Sequence, residues 1–246
     1  MRPASSVFTA LAELVLDLVA ALEGGVQTGD GIGHEAALGG PTSHDAVGSR
    51  KPAVASADAL EDLRSAPAGV AVYLLMRILK GIHEGRRLTS PGGPVRPTPE
   101  DVRDKCVSVL EADLEDARVL DLFSGSGALG LEALSRGARS VDFVENGPAA
   151  LHALKANVAS LRETKRCRIF KKDVLPWIEK LPPGAYAVCF ADPPYGSRKL
   201  DRVLERWTEV PFADVLVLEH DAEHKVPGKG KRYDFEGPTR VTIFRA

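Results

Sequence analysis

The sequence predicts an α/β fold built on a mostly parallel sheet, and three observations carry that prediction. Short apolar runs alternate with helix-like segments from Arg118 to Leu218, the pattern of right-handed β-α-β crossovers. The first run, Arg118 to Phe123, leads directly into a glycine turn, Ser124-Gly125-Ser126-Gly127-Ala128-Leu129-Gly130. A later run, Ala185 to Ala191, ends in Asp192-Pro193-Pro194-Tyr195. Ligands of open α/β sheets bind outside the carboxyl ends of the strands, so both loops stand where a site is expected.

At 44% hydrophobic content, 246 residues can bury a sizeable core in one or two domains. Charge is unevenly placed: residues 1–75 hold 4 Lys/Arg and 9 Asp/Glu, whereas the remainder holds 28 and 25. The slight overall acidity therefore belongs to the first segment alone. Cys106, Cys167 and Cys189 are far apart and form no C-x-x-C, which argues against a disulfide framework or a zinc knuckle and for a reducing, cytoplasmic setting. The most apolar N-terminal run, Val7 to Leu22, is interrupted by Glu13 and Asp17 and reads neither as a signal peptide nor as a membrane span.

In chain order, Phe8, Leu11, Leu14, Val15, Val19 and Leu22 recur at helical spacing before Gly24-Gly25. Residues 26–69 are rich in Gly, Ala and Ser without a sustained period and read as linker. Ordered-looking sequence begins near Met76, which we read as the true start, residues 1–75 being a dispensable or artefactual extension. Arg77, Lys80, Arg86, Arg87 and Arg96 then stand against the single acid Glu84, with glycines as turn points. Short strands around a basic hairpin fit this stretch, and its charge suits phosphate contacts. Thr98 is placed to N-cap a helix whose first residue is Pro99 and whose apolar face is Val102, Cys106, Val109 and Leu110.

After the glycine turn come a helix through Leu134, a strand from Ser140 to Val144, a helix from Pro148 to Leu161, and a strand from Arg168 to Phe170. A helix from Val174 to Leu181 leads to the strand before Asp192, followed by a helix from Lys199 to Trp207 and a strand from Val215 to Leu218. The runs Lys231 to Phe235 and Val241 to Phe244 read as a terminal hairpin. No internal repeat is present.

Gly125-x-Gly127-x-x-Gly130, with Glu145 twenty residues after Gly125, satisfies the dinucleotide fingerprint, so a nicotinamide or flavin enzyme must be weighed. Asp121, four residues before the first glycine, would repel a pyrophosphate but attract a cation. S-adenosylmethionine carries an ammonium and a sulfonium and no phosphate, and suits an acidic strand end better. Asp173 could accept from an adenine amine while Val174 packs on the ring. The Asp192 loop, with two prolines, offers acceptors and few donors, which fits a substrate bringing an exocyclic amine; Tyr195 adds a face on which a base can stack. His220-x-x-x-His224 lies among acids but lacks helical context, so a metal is not expected. The cations Arg162, Lys165, Arg166, Arg168, Lys171 and Lys172 read first as a solvated helix-to-strand edge.

Asp121-x-Phe123-x-Gly125-Ser126-Gly127, Glu145, Asp173 and Asp192-Pro-Pro-Tyr195 resemble the motifs of class I S-adenosylmethionine-dependent methyltransferases that modify exocyclic amines. Met76-Arg-Ile-Leu-Lys-Gly, Gly85-Arg-Arg-Leu88, Arg96-Pro-Thr98, Glu219-His220 and Lys231-Arg-Tyr233 narrow the resemblance to the bacterial small-subunit ribosomal RNA guanine-N2 methyltransferase (RsmD-like) family. The resemblance implies a Rossmann-like, seven-stranded class I sheet over residues 116–246, helices on both faces, and a small basic hairpin-plus-helix arm over 76–115. It implies S-adenosyl-L-methionine as cofactor, held by Asp121, Phe123, Gly125, Gly127, Glu145, Asn146, Asp173 and Val174. Asp192, Pro193 and Tyr195 would hold the target base, and Arg77, Arg86, Arg87 and Arg96 would contact RNA. The implied partner is 16S ribosomal RNA or the assembling small subunit, met by a monomer without metal or membrane. Asn146-Gly147-Pro148 and Lys172 depart from the family pattern but leave Glu145 and Asp173 in place. Two other readings remain open: a DNA adenine or cytosine amino-methyltransferase, for which the chain has little room for a target-recognition domain, and a non-catalytic RNA-binding assembly factor.

Overall fold

The computed structural model describes residues 76–91 and 98–246. The expected helix near the start, the linker that follows, Arg96, and the proposed status of residues 1–75 lie outside the described residues. Seven strands form one sheet: β1 (Arg118–Leu122), β2 (Ser140–Glu145), β3 (Cys167–Lys171), β4 (Tyr186–Ala191), β5 (Ala213–Asp221), β6 (Lys231–Asp234) and β7 (Thr239–Arg245). Their order is β3-β2-β1-β4-β5-β7-β6. The first five in that order run parallel, β7 is antiparallel to β5, and β6 pairs with β7 as the terminal hairpin the sequence predicts. An antiparallel last strand inserted beside β5 gives the class I methyltransferase sheet.

The central strands read as continuous apolar runs because both of their faces are covered. On β1, Val119 joins one core and Leu120 and Leu122 the other, following the two-residue pleat. The first core is completed by Val102, Cys106 and Val107 of α1 (Glu100–Ser108), by Leu114 of α2 (Glu111–Leu114), and by α3 (Ala128–Ser135) and α4 (Pro148–Ser160). The second is completed by α5 (Val174–Ile178) and α6 (Lys199–Glu209). On α6, Leu200, Val203, Leu204 and Trp207 are buried at the i, i+3, i+4, i+7 spacing of an amphipathic helix. The helix α5 stops at Ile178 rather than Leu181.

Residues 76–91 form a hairpin with a single bridge, Arg77 to Arg87, in place of the expected short strands. Ile78 N–H donates to Arg86 O at 2.9 Å and Leu88 N–H to Met76 O at 2.7 Å. The hairpin is docked rather than free: Met76, Ile78 and Leu88 are part of the first core. Its backbone is held by α3, where Glu132 accepts from Leu79 N–H at 2.8 Å and Lys80 N–H at 3.0 Å. Gly81, at φ 89°, lies so close to the Ser135 carbonyl that a Cβ would overlap it. Glu132 is fully buried between Arg136, 2.6 Å away, and Arg103, 3.7 Å away, and Arg103 also donates to Arg77 O at 2.6 Å.

One expectation fails here. Thr98 does not cap α1: the cap position is Pro99, without a side-chain bond, and the Thr98 hydroxyl instead donates to Asp192 Oδ2 at 3.3 Å. A hydrogen bond to a carboxylate is stronger than one to a neutral backbone N–H, and Glu100 and Asp101 already serve the helix dipole at that end.

Glu132→Ala would strip Arg103 and Arg136 of their buried counter-charge and orphan two hairpin N–H groups. It should cost about 3–5 kcal/mol of unfolding free energy, measurable as a shift in urea midpoint. A loss under 1 kcal/mol would show that this buried group does not hold the arm.

Candidate active site

The glycine turn follows β1 with an unusual backbone. Phe123 has φ 56°, Gly125 φ 53° and Gly127 φ 81°, so a non-glycine residue is held in the left-handed region where the strand gives way to the loop, a form of strain that clusters at functional sites. The glycine amides at 125 and 127 are spent inward. Gly127 N–H donates to Ser124 O at 2.6 Å, and Gly125 N–H donates to Glu145 Oε2 at 2.9 Å. Glu145 Oε1 accepts from Asn146 N–H at 2.8 Å and Gly147 N–H at 2.6 Å. The carboxylate at the end of β2 thereby fixes the turn after β1, with one acceptor site left for a ligand. A Cβ on Gly125 would meet nothing within 4 Å, so space is open above the turn. Ser124 Oγ is buried there without a hydrogen-bond partner among the described residues.

Asp121, 2% exposed, accepts from Gly130 N–H at 3.0 Å in the first turn of α3. Among the described residues it forms no ion pair. Burial above all, followed by the charges of Asp192 and Glu145, pushes its carboxyl up to about 8. Gly130 is required by this contact, since a Cβ would stand 2.5 Å from Phe143 and 2.9 Å from Asp121 Oδ2.

Asp192 leaves β4 one residue beyond the last paired position, Ala191 opposite Leu218. It is partly buried, and desolvation raises its carboxyl well above the usual carboxylate range, with the Thr98 bond opposing. Among the described residues Oδ1 accepts no hydrogen bond. Pro194 O accepts from Ser197 Oγ at 2.7 Å, closing the loop on itself. Tyr195 is 46% exposed while its hydroxyl is pinned 3.1 Å from Thr239 Oγ1 and 3.5 Å from Glu219 Oε1. A ring fixed at its tip and open on its side is a stacking platform.

The other expected positions fall into two groups. Asp173 is exposed at the end of β3 and caps α5, accepting from Leu175 N–H at 3.2 Å. Val174 is buried in the second core and Phe123 packs at its rim. On the hairpin, Arg77 lies 3.5 Å from Glu100, and Arg86 donates to Ser160 O at 2.7 Å, while Arg87 is exposed. In the second basic cluster, Arg166 pairs with Glu163 and Arg168 with Asp142, so two of its six cations serve the fold. His220 bonds Thr242 Oγ1 and Asp221 O, both at 2.9 Å, and His224 bonds Asp201 at 2.9 Å. Among the described residues no three His, Cys, Asp or Glu side chains are grouped to hold a metal.

Three positions are not assigned to the site from the sequence: Thr98 reads as a cap, Glu219 only as part of the Glu219-His220 run, and Asn157 is not singled out at all. Thr98 reaches Asp192 across 94 residues. Asn157 links the arm to the glycine turn: its Nδ2 donates to Thr89 O at 3.0 Å and Ser126 O at 2.9 Å, and its Oδ1 accepts from Thr89 N–H at 2.6 Å. Glu219 stands beside Tyr195. No local signal marks Thr98 or Asn157, although an asparagine inside a helix is a hint of a tertiary bond.

A seven-stranded sheet of this order, with a glycine turn after β1 and an acceptor loop after β4, defines a class I methyltransferase. The chain belongs to the family described as Conserved hypothetical protein 95, whose model matches residues 76–234. It is 34% identical over 159 residues to a Bacillus subtilis protein named "Putative rRNA methyltransferase YlbH", covering 62% of this chain and 86% of the relative. It is 35% identical over 157 residues to Escherichia coli "Ribosomal RNA small subunit methyltransferase D", covering 62% and 78%. Among solved structures, "Putative methyltransferase yhhF" of Escherichia coli aligns over 69% of this chain and 97% of its own, with TM-score 0.60 and 30% identity. The resemblance drawn from the motifs is therefore sound at the level of family and fold.

The raised carboxyl of Asp121 carries a testable consequence. Its folded value, about 8, exceeds the unfolded one, near 3.9, so the native state binds the extra proton. This favours folding at acid pH and is lost as pH rises through about 8. Asp121→Asn keeps an acceptor for Gly130 N–H and removes the charge. Between pH 5 and 9 the parent should lose stability relative to the variant, seen as diverging Tm curves. Parallel curves would place the Asp121 carboxyl in its ordinary range.

Proposed function

We propose that this protein transfers a methyl group from S-adenosyl-L-methionine to the exocyclic N2 of a guanine in small-subunit ribosomal RNA. The observation that carries the reading is the acceptor-rich rim at the carboxyl ends of β1, β2 and β4: Glu145 bonds a glycine turn whose Gly125 and Gly127 amides are already directed inward, Asp121 bonds the helix that follows it, and Asp192 stands just beyond β4. A pyrophosphate would find carboxylates and no free donors from those glycines. A ligand with an ammonium, a sulfonium and ribose hydroxyls finds what it needs, and the buried Ser124 hydroxyl and the space over Gly125 fit a polar group there. Glu145 would take a ribose hydroxyl beside Asn146, Asp173 would take the adenine amine next to Val174, and Phe123 would flank the adenosine. The cofactor supplies an electrophilic methyl on a positively charged sulfur, which leaves as a neutral thioether.

Asp192 Oδ1 and the Pro193 carbonyl each accept one N–H of the target amine. This turns the nitrogen out of conjugation with its ring and aims its lone pair at the methyl group, so the loop works by positioning and by stabilising positive charge developing on nitrogen. As the nitrogen–carbon bond forms, the surplus proton passes to Asp192 Oδ1, whose raised carboxyl makes it a competent acceptor near neutrality. Thr98 holds Oδ2 throughout. A base must leave its stack to reach this loop, and the Tyr195 ring replaces the lost stacking at about 1–3 kcal/mol. Arg87, with Arg77 and Arg86 beside it, gives the arm cations for the phosphate backbone. The family names of the relatives support ribosomal RNA as the partner.

Labelled methyl transfer to small-subunit particles, with nucleoside analysis, is the test. Label should appear in N2-methylguanosine, and Asp192→Ala should lower kcat about 10²-fold or more while cofactor affinity changes little. Turnover near that of the parent would remove Asp192 from the chemistry, and label in DNA alone would refute the RNA reading.

A further inference from the structure

The acceptor loop accounts for an amine without saying which base bears it, since adenine, cytosine and guanine all have one. We infer that Glu219 selects guanine, its carboxylate accepting the ring N1–H adjacent to the amine that Asp192 holds. The inference rests on the amine-methylation reading above and deepens it.

Position comes first. Glu219 follows Leu218 on β5 just as Asp192 follows Ala191 on β4, and those two preceding residues are paired neighbours. Neighbouring strands lie about 4.8 Å apart, so the two carboxylates leave the sheet edge side by side. They also share a face: the Cys106 thiol on α1 is pushed up by burial first and then by the charges of Glu219 and Asp192. Glu219 is 6% exposed and lines a concavity together with Pro193, Tyr195, His220 and His224. Its Oε1 lies 3.5 Å from the Tyr195 hydroxyl, which sets the carboxylate beside the ring on which a base would stack. His220 does not compete for the base, because both of its ring nitrogens are engaged with Thr242 and Asp221.

Chemistry supplies the selection. On the Watson–Crick edge of adenine or cytosine, the ring nitrogen next to the exocyclic amine is a lone-pair acceptor. In guanine that nitrogen carries a hydrogen. Two carboxylates in a row therefore match the N2–H and N1–H of guanine, while adenine or cytosine would set a lone pair against Glu219. A site discriminates most strongly when the wrong ligand leaves a buried polar group opposed or unpaired. Reading a flipped base by its Watson–Crick edge is the usual device of enzymes that act on extruded nucleotides.

The test uses the full chain with small-subunit particles, methyl-labelled S-adenosylmethionine and nucleoside analysis, and compares the parent with Glu219→Gln and Glu219→Asp. Glu219→Gln should lower kcat/KM for guanine about 10- to 150-fold, the loss expected for one hydrogen bond to a charged group. Cofactor affinity by calorimetry should stay within about threefold of the parent, and Glu219→Asp, which keeps the charge on a shorter stem, should retain more activity than Gln. Guanine methylation by Glu219→Gln within threefold of the parent would overturn the inference. So would a parallel fall in cofactor affinity and melting temperature in both variants, which would make Glu219 a strut for Tyr195. The parent alone decides the underlying reading: transfer to adenine or cytosine would keep amine methylation but remove guanine selection by Glu219, and no transfer to any RNA by a cofactor-binding parent would defeat both.

Discussion

Asp121 and Asp192 stand on adjacent strands at one edge of the sheet, both short of water and, among the described residues, neither in an ion pair. Burying a carboxylate without a cation is costly, and such groups usually take up a proton. A protein that only needed to fold would place apolar side chains there. Burial instead raises the proton affinity of both, with the charge of Asp192 adding to that of Asp121, and the surrounding parts keep them in place: Gly130 N–H holds Asp121, Thr98 holds Asp192, and Glu145 holds the glycine turn. Perturbed carboxyls converging on a strand edge are a mark of a functional site, and here they call for a ligand that brings positive charge and donors.

The basic arm is built into the same frame. Glu132, on the helix that follows the glycine turn, anchors the hairpin backbone, while Asn157 bonds the hairpin at Thr89 and the turn at Ser126. Through these two residues the arm is bonded to the glycine turn and to the helix that follows it. Thr98 adds a third link, since it lies within the 76–115 segment and donates to the Asp192 carboxylate itself. On the proposed function, free energy gained from RNA on the arm would be delivered next to Asp192.

Much of this was legible in the sequence, because the parallel strands are apolar on both faces and the helices between them keep a helical period. The glycine turn, Glu145 and the Asp192 loop were readable for the same reason: each sits at a strand end and uses residue types that only special backbone or acceptor chemistry explains. Thr98 was not. A threonine before Pro99 looks like a cap, and only the folded chain brings a carboxylate 94 residues away within reach to outbid the helix. The bond from Arg86 to the Ser160 carbonyl at the end of α4 was equally invisible, since its partner is 74 residues away. Glu132, buried with two arginines inside α3, was hidden because an acid in a short helix normally faces solvent. In each case the missing information was a partner distant in sequence.

On the proposed function, the buried Asp121 carboxyl holds a proton until a cationic methyl donor arrives. Calorimetric titration of S-adenosylmethionine at pH 6.5, repeated in buffers of different ionisation enthalpy, tests it most directly, because the donor's own amine is already charged there. Net proton release on binding, smaller when the neutral-sulfur product S-adenosylhomocysteine replaces the donor and absent in Asp121→Asn, is the expected result. Binding that moves no protons in the parent would contradict it.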